Sequence, residues 1–185
     1  MAKYKSVLAT GPALDTSTVL YLDFDGVLHP DEVYSPKSKS SPRIDSRTQG
    51  HHLFENASIL EAALTDYPKL SLVLSTSWCY HYGLEYAKKQ LPASLQARVI
   101  GTTFDPTYPH FWRMSHWTRY NQIASDVARR NPTKWIALDD DALGWPNAEL
   151  HRLVLTTSPE GLASTMAQSK LFQSLREVFG PPPAD

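Results

Sequence analysis

Five short apolar runs limit the folds open to this chain: "TVLYLD" (18–23), "LSLVLS" (70–75), "ARVIGT" (97–102), "KWIALD" (134–139) and "HRLVLT" (151–156). A strand with one wet face alternates apolar and polar residues, whereas these runs are nearly continuous, as strands covered on both faces by helices must be. The segments between them have helical character. From 56 to 67, Ile59, Leu60, Ala63 and Leu64 form one stripe before Pro68. From 115 to 130, Ile123, Ala124, Val127 and Ala128 form another before Pro132. A last helix is expected to open at "SPEG", with Ser158 as cap and Pro159 in the first turn, and with Leu162, Met166, Phe172, Leu175 and Phe179 as apolar contacts. This alternation predicts right-handed crossovers and a three-layer, doubly wound α/β sandwich around a mainly parallel five-stranded sheet. The Ser- and Pro-rich stretch 29–50 reads as a loop or loose hairpin, at most a minimal cap. One domain is expected over residues 1–180, with 181–185 a tail.

In open α/β sheets ligands gather at the carboxyl ends of the strands. Three run ends here carry more than one polar group: "DFDG" at Asp23, "STSW" at Ser75 and "DDD" at Asp139. Bringing "DFD" and "DDD" to one sheet edge crowds carboxylates whose repulsion calls for a cation, and hard oxygen ligands favour magnesium. Beside such an ion one carboxylate can attack phosphorus while a second protonates the leaving oxygen. Gly26 permits the tight turn that returns Asp25 towards the reacting centre.

These motifs resemble the haloacid dehalogenase-like (HAD) phosphatase superfamily. "LYLDFDGVL" is similar to its first motif, "LVLSTS" to its second and "IALDDD" to its fourth, in order along the chain. "STSW" and "WIALDDDA" further resemble the small HAD domains of multidomain RNA-repair proteins. The resemblance implies Asp23 as nucleophile, Asp25 as general acid/base, and Ser75, with Thr76 and Gly26 beside it, as phosphate contacts. It further implies Asp139 and Asp140 as magnesium partners with Asp23 and Asp25. The acid/base aspartate disfavours a dehalogenase. The third motif departs from the pattern, because no lysine occurs between Lys89 and Lys134. Arg119, in "HWTRYNQIA", takes the expected position and Arg113 is the alternative. Lys134 only flanks a strand.

The expected activity is a magnesium-dependent phosphatase acting through an aspartyl-phosphate. Its partner is a phosphate ester, with a nucleic-acid terminus or nucleotide as candidates because neither gap in the motif order can hold a large lid. The alternative is a binding module of the same fold without turnover. The formal net charge of -1 gives no general pull towards polyanions, so any nucleic-acid contact must be local. Lys37, Lys39 and Arg43 in the loop, and His110, Arg113, His116 and Arg119 among the aromatics of 108–120, could supply it, though the aromatics serve equally as packing. His51 and His52 make a poor zinc signature, and Cys79 reads as a small buried residue. A single cysteine, no secretory signal and no membrane-length apolar run predict a cytoplasmic protein.

Overall fold

Each of the five apolar runs forms a strand of one parallel sheet in the computed structural model, which describes residues 15–34, 42–45, 48–104 and 117–182. The first half contains β1 (Asp15–Leu22), the two-residue strands β2 (Val33–Tyr34) and β3 (Arg43–Ile44), α1 (Ala57–Leu64) and β4 (Leu70–Leu74). Three short helices follow, α2 (Ser77–Tyr82), α3 (Leu84–Lys89) and α4 (Ala93–Gln96), and lead into β5 (Val99–Thr102). The rest is α5 (Arg119–Arg130), β6 (Lys134–Asp139), β7 (Leu153–Leu155) and α6 (Thr165–Phe179). The sheet order is β5-β4-β1-β6-β7, with β2 and β3 paired antiparallel outside it.

Both faces of the sheet are buried, which is why the runs do not alternate. Leu20, Leu22, Leu72, Leu74, Ile136 and Leu138 pack on one side with Leu60 and Leu64 of α1 and Leu171 and Leu175 of α6. Val19, Tyr21, Val73, Trp135 and Ala137 pack on the other with Ile123 of α5 and with Trp145. Burying each of the leucines contributes about 1.5–3 kcal/mol. In the central strand Leu22 is in register with both Leu74 and Leu138, so Asp23, Ser75 and Asp139 each stand at or one residue beyond the same rung.

Three details differ from the sequence expectation. The last helix begins at Thr165, not at Ser158. Leu162 N–H donates to Val27 O at 2.9 Å, and Gly161, with φ +54, lies so close that a Cβ would sit 2.5 Å from the same carbonyl. This docking holds the segment as turn and 3-10 helix, and Ser158 Oγ instead accepts from Asp31 N–H at 3.1 Å. Within α6 the buried face is Ala167, Leu171, Ser174 and Leu175, leaving Met166 and Phe172 exposed. In α5 the buried residues are Gln122, Ile123 and Asp126, while Ala128 is exposed. Asp126 accepts from the buried Tyr21 hydroxyl at 2.9 Å, so hydrogen bonding sets which face of this helix turns inward. Among the described residues no helix is long and apolar enough to cross a membrane.

Candidate active site

The parallel ladder delivers the site. Asp23 N–H donates to Leu138 O at 3.1 Å and Ser75 N–H to Leu22 O at 2.9 Å, continuing the pairing one step past β1 and β4. Asp23 is buried, and its Oδ1 accepts from Phe24 N–H at 2.7 Å. Thr76 caps α2, accepting from Trp78 N–H at 3.3 Å, and its side chain also bonds Asp23. Ser75 Oγ is buried with no hydrogen-bond partner among the described residues.

Arg119 is the cation at the centre. Thr118 caps α5 by accepting from Asn121 N–H at 3.3 Å, so Arg119 falls in the first turn, facing the sheet edge. Its Nη2 is 2.5 Å from Asp23 Oδ2 and its Nε 3.1 Å from Asp139 Oδ2. Nη1 bonds Ser75 O and, at 3.1 Å, Gln122 Oε1. The contact with Asp139 is an ion pair by distance but is not aligned as a hydrogen bond, which leaves Asp139 Oδ2, in a fully buried side chain, without a hydrogen bond among the described residues. Of the two arginines the sequence offered, Arg119 stands in the site. Arg113 lies outside the described residues, as do Lys37, Lys39, His110 and His116.

Asp23, Asp139 and Asp140 bring carboxylate oxygens within 4.8 Å of one another, a group suited to a divalent cation. One guanidinium cannot neutralise three carboxylates, so the group as a whole holds protons more tightly than free aspartates. Burial pushes Asp23 up, Arg119 opposes it and Asp25 reinforces it. Burial and then Asp23 push Asp139 well above the ordinary carboxylate range, against Arg119. Burial, then Asp23 and Asp31, push Asp140 up to about 6. Burial alone lowers Arg119, but Asp23, Asp139 and Asp140 outweigh it and hold the guanidinium above its ordinary value.

Asp25 is not part of that group, a departure from its expected place among the metal partners. Its carboxylate turns to the Trp78 indole N–H at 2.9 Å and to His29 Nε2 at 3.1 Å, which hold it apart from the other three. Neither residue takes a role from the sequence motifs, although His29 directly follows the "LYLDFDGVL" segment and Trp78 ends "STSW". Gly26 has φ +68, and a Cβ there would lie 2.1 Å from Asp140 Oδ2. Glycine thus admits both the turn and the close seat of Asp140.

Other marked residues have structural roles. His51 Nδ1 lies 2.5 Å from Glu55 Oε1 and His52 Nδ1 3.3 Å from Oε2, so both histidines are directed to one carboxylate. Cys79 is buried, and burial pushes its thiol up to about 11, unlike a reactive thiolate.

A parallel sheet in this order, with an aspartate after the central strand, hydroxyls after one neighbour and an acidic pair after the other around a largely buried arginine, defines a HAD-like domain with a phosphatase-like site. The chain belongs to the family described as the HAD domain in Swiss Army Knife RNA repair proteins, whose model matches residues 19–167. No curated protein and no solved structure matches the chain.

Proposed function

We propose that this chain is a magnesium-dependent phosphatase that passes the phosphoryl group of a monoester first to Asp23 and then to water. The observation that carries the reading is the division of labour among the carboxylates: Asp23 is clamped by Arg119 and Phe24 N–H inside an acidic group, while Asp25 is held separately. Asp139 Oδ2, without a hydrogen bond among the described residues, and the excess of carboxylates over guanidinium fit a hard divalent cation. Asp23, Asp139 and Asp140 would hold magnesium, which when bound supplies positive charge against the phosphate and the carboxylates. Asp23 is the nucleophile. Arg119 keeps its carboxylate oriented and offsets the charge of the incoming phosphate. Ser75 Oγ, which has no hydrogen-bond partner among the described residues, donates to a phosphoryl oxygen. Asp25 gives a proton to the departing oxygen and later takes one from the attacking water.

The substrate we assign is a phosphorylated nucleic-acid end. Between β1 and α1 the described chain carries only the two-residue strands β2 and β3, too small for a lid that encloses a small metabolite. The family's description as a domain of RNA repair proteins agrees with a large substrate. The test compares kcat/KM for a phosphorylated oligonucleotide and the matching mononucleotide at fixed salt, with magnesium and with excess chelator. The expected result is a preference for the oligonucleotide and loss of turnover in chelator. Preference for the mononucleotide removes the nucleic-acid assignment, and full turnover in chelator removes the metal-dependent mechanism.

Proton linkage offers a second check without turnover. Asp140 is raised from the ordinary 3.8 to about 6, and Asp23 and Asp139 move the same way. A carboxyl raised by folding keeps a proton that the unfolded chain has already released, so its contribution to metal-free stability is lost as pH rises from about 4 to about 6. Magnesium requires the ionised carboxylates, so its stabilisation grows over the same window. The expected result is a small Tm increase from magnesium at pH 5 and a larger one at pH 7.5. An increase independent of pH would count against these ligands.

A further inference from the structure

If Asp25 moves a proton, something must fix which of its two oxygens does so. We infer that His29 and Trp78 are positioning residues that occupy Asp25 Oδ1 and leave Oδ2 as the oxygen exchanging the proton; this rests on the phosphatase reading above.

Trp78 is 3% exposed, and its Nε1–H donates to Asp25 Oδ1 at 2.9 Å with a longer branch to Oδ2 at 3.2 Å. His29 is fully buried, with Nε2 3.1 Å from the same Oδ1. Its tautomer is set from the far side of the ring, where Phe54 N–H donates to Nδ1 at 3.3 Å. A nitrogen that accepts carries no proton, so the ring proton sits on Nε2 and points at Asp25. Phe54 N–H reaches Nδ1 from a backbone with φ +62, a conformation unusual for a bulky residue and consistent with a locally enforced arrangement.

The two donors have little room to turn. Phe24, His29, Phe54 and Trp78 form a box of edge-to-face rings, with centroids from 4.8 Å for His29–Phe54 to 5.9 Å for Phe24–Trp78. Oδ1 therefore receives two N–H groups from a rigid aromatic floor, while among the described residues Oδ2 has only the long branch and keeps a lone pair. In the first step Asp23 bonds to phosphorus as the ester P–O bond breaks, and the proton on Asp25 Oδ2 goes to the departing oxygen. In the second, water attacks phosphorus, its proton passes to Oδ2 and the Asp23 carboxylate is released.

The test uses His29→Phe and Trp78→Phe, each of which keeps a ring and removes the donor, with folding checked by circular dichroism. For each variant kcat/KM is measured on 2,4-dinitrophenyl phosphate, whose oxygen leaves without a proton, and on glycerol phosphate, whose oxygen needs one. Misplacing the acid should cost roughly tenfold or more extra on glycerol phosphate, since general acid catalysis is felt only by the poor leaving group. Equal losses on both esters would mean a structural role and overturn the inference. A long-range 1H–15N correlation spectrum of the parent protein tests the tautomer whether or not the variants fold. It should show His29 protonated on Nε2 alone, and a proton on Nδ1 overturns the inference. A parent protein that turns over neither of these esters nor a phosphorylated oligonucleotide fails the phosphatase reading itself, and the inference with it.

Discussion

Asp23→Asn is expected to abolish turnover, lowering kcat/KM by at least about a thousandfold, because loss of the nucleophile in covalent enzymes costs this much or more. The amide keeps the shape of the carboxylate and its hydrogen bond from Phe24 N–H, but it cannot form the acyl phosphate. The fold should survive. Asp23 stands in a group of three carboxylates facing one guanidinium, and burial already disfavours its charge, so the neutral amide relieves repulsion in the metal-free protein. Tm without metal should equal or exceed that of the parent, and the rise caused by magnesium should shrink. Turnover of an aryl phosphate, circular dichroism and thermal unfolding on the same sample decide the matter. A folded variant within a few-fold of parental activity would remove Asp23 from the chemistry.

Arg119→Ala should have the largest effect on stability. The Arg119 side chain is 14% exposed and its guanidinium contacts Asp23, Asp139 and the Ser75 carbonyl, so its removal leaves buried carboxylates without their cation. Breaking a buried pair from one side costs about 3–5 kcal/mol. Urea unfolding of the metal-free protein should show this as a lowered midpoint, with magnesium restoring part of it. Arg119→Lys should fall between, since a single ammonium cannot span three acceptors. Asp23→Asn combined with Arg119→Ala should lose less than Arg119→Ala alone, because the double change leaves one fewer buried carboxylate without its cation. A metal-free midpoint that does not move in Arg119→Ala would show that the pairings carry no net stability.

The sheet and the acidic strand ends were legible in the sequence because both follow from local pattern: a doubly buried strand needs a continuous apolar run, and a site in this architecture sits where those runs end. Arg119 and Arg113 could not be separated by pattern, since the choice depends on where Thr118 starts α5. The stripe expected on α5 failed at Ala128 because Asp126 is drawn inward by Tyr21, a partner 105 residues away. The early start assigned to the last helix failed for a similar reason. Ser158 and Pro159 suit a helix start locally, but the hydrogen bond from Leu162 to Val27 holds that segment against the first-motif turn. His29 and Trp78 are not legible as a pair because they lie far apart along the chain and meet where the fold brings both to Asp25 Oδ1.

The shared rung at Leu22, Leu74 and Leu138 also bears on how activity is gained and lost. Asp23, Ser75 and the Asp139–Asp140 pair come from the ends of three strands that are adjacent in space but far apart along the chain, and their spacing is set by the ladder itself. A one-residue slip in any of these strands turns its terminal side chain to the opposite face. A partly paired intermediate that lacks one of these strands therefore lacks one of the three groups. Catalytic competence should appear in a single step with the complete sheet, making enzyme activity a stringent probe of native pairing.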